Sequence, residues 1–171
     1  MDFRVYVANL REYNEGKLVG EWLELPMDTT ELREKLDNLL NEGEDDYAIH
    51  DYENDLGIRI EEYADIETLN SIAWDLFDLD EIEYLAVGAY LEHVNPNLKE
   101  AIKAVQDGDF CVWNDCHDYT DLGYILADYY QPELDRLPGF IKYNIDYEGV
   151  GRDYAESEAG GFYGGSYFVF F

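Results

Sequence analysis

The sequence predicts an α+β protein built from three small segments, and three observations carry that class. Apolar residues alternate with polar ones near the N-terminus, they recur at helical spacing through the middle, and strand-like aromatic runs return toward the C-terminus. The texture changes place an N-terminal α+β domain over 1–61, a mainly helical middle domain over 62–108 and a C-terminal α+β domain over 109–171. With 171 residues, 47% of them hydrophobic and 16% aromatic, the chain can bury a real core.

Phe3, Val5 and Val7 alternate with Arg4, Tyr6 and Ala8, which reads as a half-buried strand over 3–10. A turn comes next at Asn14–Gly16, and Leu18 to Leu25 forms a second strand with Trp22 as its core anchor, stopped by Pro26. Asp28 followed by Glu31 is a capping box with Asp in place of Ser or Thr. It opens a helix whose stripe is Leu32, Leu36, Leu39 and Leu40 and which Gly43 closes. Tyr47 to Tyr52 is a third strand. Asp65 caps a helix with Ile66, Leu69, Ile72, Ala73 and Leu76 on its buried face, and a second helix runs through Leu85 and Ala89 to about His93. Asn95–Pro96 supplies a cap and an N1 proline for a third, carrying Leu98, Ile102 and Val105 and ended by Gly108. Phe110 to Trp113 is a strand and Thr120 to Tyr130 a capped helix, and Pro132 and Pro138 punctuate the chain beyond it. Gly160, Gly161, Gly164 and Gly165 read as a turn before Tyr167 to Phe171, a run too apolar for a solvated tail that is either an inserted strand or part of a subunit contact.

Charge is the most unusual property. Forty Asp and Glu against 11 Lys and Arg leave a net charge of −29, which opposes compaction by self-repulsion. No Lys or Arg occurs from Ile60 through Leu98, which holds ten acids, nor from Ala104 through Asp135, which holds eight. From Glu42 to Glu62, carboxylates alternate with Tyr47, Ile49, Tyr52, Ile58 and Ile60, so the charge sits on an ordered surface and not in a solvated tail. A duplex carries one charge per ~1.7 Å of axis, so 29 charges match roughly 50 Å of DNA, against about 40 Å for the diameter of a compact chain of this length. Such a chain repels nucleic acid and anionic membranes and attracts proteins whose working surfaces are basic clefts. The N-terminus has no apolar signal region, no run approaches a membrane span, and Cys111 and Cys116 read as reduced thiols, so the expected location is the cytoplasm.

Motifs for chemistry are weak. With 40 carboxylates, pairs such as Asp75/Asp78 and Glu81/Glu83 arise by chance and read as solvated helix faces. Asp51, Glu53, Asp55 and Glu62 fall at positions 1, 3, 5 and 12 of a calcium loop, but Leu56 stands where the sharp turn needs glycine, with Gly57 one place late. Cys111, Cys116 and His117 lack zinc spacing, and His50 and His93 read as structural imidazoles. GGFYGG has no Lys or Ser/Thr of a phosphate loop, and no basic stripe for nucleic acid exists. No cofactor, metal site or catalytic residue is expected. Two other classes stay open: a calcium-binding acidic interaction module, and a halophilic acidic domain of unrelated function.

Three stretches carry a family resemblance. Tyr13-Asn14-Glu15-Gly16-Lys17-Leu18-Val19-Gly20-Glu21-Trp22-Leu23-Glu24-Leu25 resembles the early segment of the ArdA family of antirestriction proteins, with its Tyr-Asn, two Gly and Trp at this spacing. Ile49-His50-Asp51-Tyr52-Glu53 is similar to the family's segment ending in Asp-Tyr-Glu, and Asp146-Tyr147-Glu148-Gly149-Val150-Gly151-Arg152-Asp153 to its C-terminal Asp-Tyr-Glu-x-x-x-Arg-Asp. The chain departs from the pattern at Gly149 and Gly151, where helix formers are common, which bears on helix continuity after Tyr147.

The resemblance implies an elongated, curved, three-domain homodimer that mimics bent duplex DNA and fills the DNA groove of type I restriction–modification enzymes. It also implies carriage on mobile elements, action in the host bacterium and no enzymatic activity. Carboxylates would then stand in for phosphates. In the acidic segment these are Glu42, Glu44, Asp45, Asp46, Asp51, Glu53, Asp55, Glu61 and Glu62. Across the helical stretch they are Asp65, Glu67, Asp75, Asp78, Asp80, Glu81 and Glu83, and toward the C-terminus Asp107, Asp109, Asp115, Asp118 and Asp121. The apolar C-terminal residues Trp113, Phe140, Tyr163, Phe168 and Phe170 are the expected dimer contact.

Overall fold

The computed structural model describes residues 2–41 and 46–171. The chain is α+β, with nine helices and two three-stranded antiparallel sheets among the described residues. It divides into two compact units, Met1–Asp80 and Glu81–Phe171.

The first unit runs β1 (Phe3–Asn9), α1 (Leu10–Asn14), β2 (Gly20–Glu24), α2 (Thr29–Leu39), β3 (Tyr47–Asn54) and α3 (Ile66–Phe77). Its sheet has the order β2-β1-β3, so the alternating strand foreseen at the N-terminus lies in the centre. Val5 and Val7 are sealed in the core, joined by Leu23, Leu32, Ile66, Ala73 and Leu76. Trp22 is not the anchor of β2. The register opposes Val5 to Leu23 and Tyr6 to Trp22, so Leu23 takes the core face. Trp22 packs half-buried on the outer face, 5.6 Å from the Tyr6 ring and under the Arg4 guanidinium. Two adjacent apolar residues fit either face of a strand, and only pairing chooses between them.

Asp28 caps α2 as its spacing predicts, accepting from the N–H groups of Thr30 and Glu31. Gly43, expected to close that helix, lies outside the described residues, as do Glu42, Glu44 and Asp45. Two buried asparagines hold the unit together. Asn9 caps α1, a short helix where the sequence pattern predicts only a turn, and donates to the Leu39 carbonyl at 3.0 Å. Asn70 grips Met27 twice, accepting from its N–H and donating to its carbonyl, both at 2.9 Å. A side-chain amide has the donor and acceptor needed to satisfy both backbone groups at once.

The second unit contains α4 (Glu81–His93), α5 (Leu98–Gln106), β4 (Phe110–Trp113), α6 (Tyr119–Tyr129), α7 (Gln131–Leu134), α8 (Gly139–Lys142), α9 (Tyr147–Ser157), β5 (Ala159–Tyr163) and β6 (Ser166–Phe170). The terminal apolar run is an inserted strand, because β6 lies between β4 and β5 and every one of its residues is buried. Tyr167 and Val169 face a core with Leu122 and Leu126 of α6. Phe170 stacks edge-on against Tyr90 of α4 at 5.1 Å, and Phe168 faces Phe110. A strand covered on both faces reads as a near-continuous apolar run, here Tyr167 to Phe170, which explains the absence of alternation.

The structure revises two local expectations in this unit. The cap of α5 is Asn97, whose side chain accepts from the N–H groups of Lys99 and Glu100, and not Asn95. Asn95 supports it by accepting from the Asn97 N–H. The glycine patch is only half a turn: Gly164 and Gly165 take positive φ, whereas Gly160 and Gly161 are strand residues of β5. The α9 helix is continuous through Gly149 and Gly151. Gly151 and Gly123 of α6 serve packing, since a Cβ on Gly151 would lie 1.9 Å from the Tyr119 carbonyl oxygen and one on Gly123 1.9 Å from that of Tyr147. Glycine lets α6 and α9 approach backbone to backbone.

Candidate functional site

The acidic segment of the first unit is organised by β3, an edge strand. Asp51, Glu53 and Asp55 are exposed, and the intervening Tyr52 and Asn54 are half-buried. Alternate residues on a strand share a face about 7 Å apart. Their side chains are held. Arg4, directly across the ladder from Glu53, pairs with it; the Asp55 carboxylate accepts the Asp2 N–H at 2.6 Å, and Asp51 accepts the Tyr52 N–H at 2.8 Å. Asp46 is exposed just before the strand. Glu61 and Glu62 are exposed where the chain returns along β3, with the Ile49 N–H donating to the Glu62 carbonyl at 2.7 Å.

Helix α3 carries the next group. Asp65 is its N-cap, and the hydrogen bonds from Thr68 hold its carboxyl below the ordinary value. Glu67 pairs with Arg33 at 3.3 Å. Asp75 and Asp78 are exposed and, among the described residues, no cation lies within ion-pair distance of either. Asp80 is exposed as well. Two aromatic residues on this helix are absent from the sequence-based candidates: Trp74 is 41% exposed and Phe77 61%, stacked edge to face at 5.7 Å. Their signal is present in the sequence, because both lie outside the predicted Ile66–Leu76 stripe.

In the second unit Glu81 and Glu83 occupy the first turn of α4, where the helix dipole favours anions. Asp107 pairs with Lys103 after α5, and Asp109 and Asp115 are exposed in the turns flanking β4. Asp118 caps α6, and Asp121 accepts the His117 N–H at 3.0 Å. Several of the predicted acids therefore also brace local structure. Among the described residues no Asp or Glu is buried, as the desolvation cost of an unpaired charge requires.

The residues expected at a subunit contact are placed unevenly. Phe168 and Phe170 are in the unit's own core, Trp113 and Tyr163 are half-buried, and Phe140 is 75% exposed. Around Phe140 the segment from Tyr129 to Tyr143 exposes Tyr129, Tyr130, Leu137, Ile141 and Tyr143. Beside it an apolar cleft of about 290 Å³ is lined by Leu126, Tyr130, Leu134 and Val150. A neighbouring one of about 390 Å³ is lined by Trp113, Tyr129, Tyr154 and Phe171.

For chemistry the site offers charge and little else. Asp51 and Glu53 belong to extended β3, so the twelve-residue calcium loop is not formed, and no group of three or more His, Cys, Asp or Glu among the described residues could hold a metal. His50 meets Tyr13 edge to face and the His93 ring meets the Phe162 carbonyl. Cys116 is buried and its thiol is pushed up to about 11 by desolvation. No helix among the described residues is long and apolar enough to cross a membrane. Compared with known families, residues 5–169 match a model described as antirestriction protein (ArdA). No curated protein matches the sequence.

Proposed function

Because this chain belongs to the ArdA family of antirestriction proteins, we propose that it inhibits by imitating DNA: its carboxylates occupy the positions of phosphates in the DNA groove of a type I restriction–modification enzyme. The observation that carries the reading is how the chain disposes its charge. Nine of the 11 basic residues pair with acids of the chain itself, and no described acid is buried. The excess negative charge is thus left at the surface, on edge strand β3, helix α3 and the turns around β4. Strand and helix spacings of about 5–7 Å make rows of anions that a Lys- and Arg-lined cleft can bind with release of its own counterions.

The mechanism needs no reaction. The inhibitor competes for the groove, and affinity is shared among many similar contacts, so no single acid dominates. The chain acts in the cytoplasm of a host bacterium, as a homodimer. Self-association rests on the exposed apolar surface around Phe140, Tyr129 and Tyr143. A dimer carries 58 net charges, twice the −29 of one chain, matching roughly 29 base pairs at two phosphates per pair.

The test is competition. A labelled duplex bound to a type I methyltransferase should be displaced at near-stoichiometric inhibitor, with affinity falling as salt rises. Retention of the duplex at a hundredfold excess at low salt refutes the reading.

A further inference from the structure

We propose that the Trp74–Phe77 pair on α3, flanked by Asp75 and Asp78, is the anchor point of the inhibitory surface and receives an arginine from the partner's basic cleft. The inference rests on the DNA-mimic reading and adds what that reading lacks: a contact that distinguishes guanidinium from any other cation.

The chain's own arginines show how such a contact is built. Arg4 lies 5.2 Å from the Trp22 ring centroid and pairs with Glu53. Arg152 lies 5.9 Å from the Tyr119 ring and pairs with Glu148. Both of these arginine–aromatic contacts are therefore triples, in which a planar cation is held by a ring and a carboxylate together. That combination suits guanidinium, which stacks on a π face while its edge donates to an anion; an ammonium cannot do both in the same way.

On α3 the ring and the carboxylate stand at the surface, and among the described residues no cation of the chain lies against them. Asp78 follows Trp74 by four positions, which brings the two onto one helix face at roughly 5–6 Å between Cβ atoms. Asp75 and Asp78 bracket Phe77 closely in sequence. The rings are also fixed in place. The Trp74 Nε1–H donates to the Met27 carbonyl at 3.3 Å, and Asn70 clamps the same Met27 through both its backbone groups. Phe77 meets the indole at 86°. An exposed aromatic pair whose orientation is already set loses little freedom on binding, which is the property of an interface anchor. Charge chooses its occupant. Beside the rings Asp75 and Asp78 are exposed with no cation within ion-pair distance among the described residues, and no Lys or Arg occurs between Ile60 and Leu98, so an apolar or acidic partner is disfavoured where an arginine is drawn in.

The test uses the full chain, the type I methyltransferase–duplex complex, and hexa-arginine and hexa-lysine peptides. Phe77→Ala and Phe77→Leu should weaken displacement of the duplex by about tenfold or more, with the thermal midpoint and the salt slope unchanged, while Phe77→Tyr retains it. Wild-type displacement that survives both substitutions overturns the inference and leaves the mimic reading standing. If wild type itself does not displace the duplex, that reading fails, and the peptides decide the site separately. The Trp74 indole N–H resonance, identified by its loss in Trp74→Phe, should shift more with hexa-arginine than with hexa-lysine at equal ionic strength. Equal shifts overturn the proposal, and the same comparison decides it if the Phe77 variants unfold.

Discussion

Replacing Gly151 by alanine should destabilise the second unit, although alanine is the better helix former. The two effects can be weighed. Alanine in a helix interior is favoured over glycine by about 1 kcal/mol. Against this, a Cβ at 151 would stand 1.9 Å from the Tyr119 carbonyl oxygen and 3.0 Å from the Gly123 nitrogen, where ordinary contact begins near ~3.4 Å. Both obstacles are backbone, so no rotamer change relieves them, and α6 and α9 must move apart by about 1.5 Å. A gap of that size forfeits more than half of the dispersion attraction across the contact, and it opens the face where Leu122 and Leu126 pack with Tyr154 and Ala155. Overpacking of this kind costs up to about 3 kcal/mol, leaving about 2 kcal/mol net. For a chain of this size that lowers the thermal midpoint by roughly 4–8 °C. Differential scanning calorimetry of Gly151→Ala beside Gly139→Ala, whose added Cβ meets nothing closer than 3.4 Å, is the assay. A Gly151→Ala protein as stable as wild type would mean that the helices are not in backbone contact.

Asn70→Ala should cost about 1–3 kcal/mol, because the Met27 N–H loses its partner in a buried site while the Met27 carbonyl keeps only the Trp74 Nε1–H; a urea midpoint within error of wild type would contradict this. Tyr167→Phe should leave stability equal or raise it by about 1 kcal/mol at neutral pH, since its hydroxyl is buried with no hydrogen-bond partner among the described residues, and a clear loss would reveal a partner for that group. Burial pushes the Tyr167 phenol up to about 12 and the Cys116 thiol up to about 11, so the folded state holds these protons more tightly than the unfolded one. The stability they contribute is complete below pH 9 and falls as pH rises through 11 to 12; urea midpoints against pH should show this decline, smaller in Tyr167→Phe. Neutralising Asp51, Glu53 and Asp55 together to Asn, Gln and Asn should weaken displacement of duplex from the methyltransferase and reduce its log–log salt slope by about 2–3, while each single change has little effect. A single change that abolishes inhibition would end the distributed model.

Local signals in the sequence sufficed for most elements. Asp28 and Asp65 announce their helices because a cap bonds N–H groups within three residues of itself. β1 shows its alternation because one of its faces is core and the other is not. The family could be read from three short segments, and the surplus of charge from composition. What needed the third dimension was every choice that depends on a distant neighbour. Trp22 and Leu23 exchange roles through pairing with Tyr6 and Val5. Gly151 is explained only by a carbonyl on another helix, and Asn70 only by a backbone 43 residues away. Phe168 and Phe170, apolar enough for a subunit contact, are interior because β6 inserts between two strands. Composition set how much charge this protein carries; packing set which side chains remain at the surface, because burial is a property of the neighbours a residue acquires and not of the residue itself.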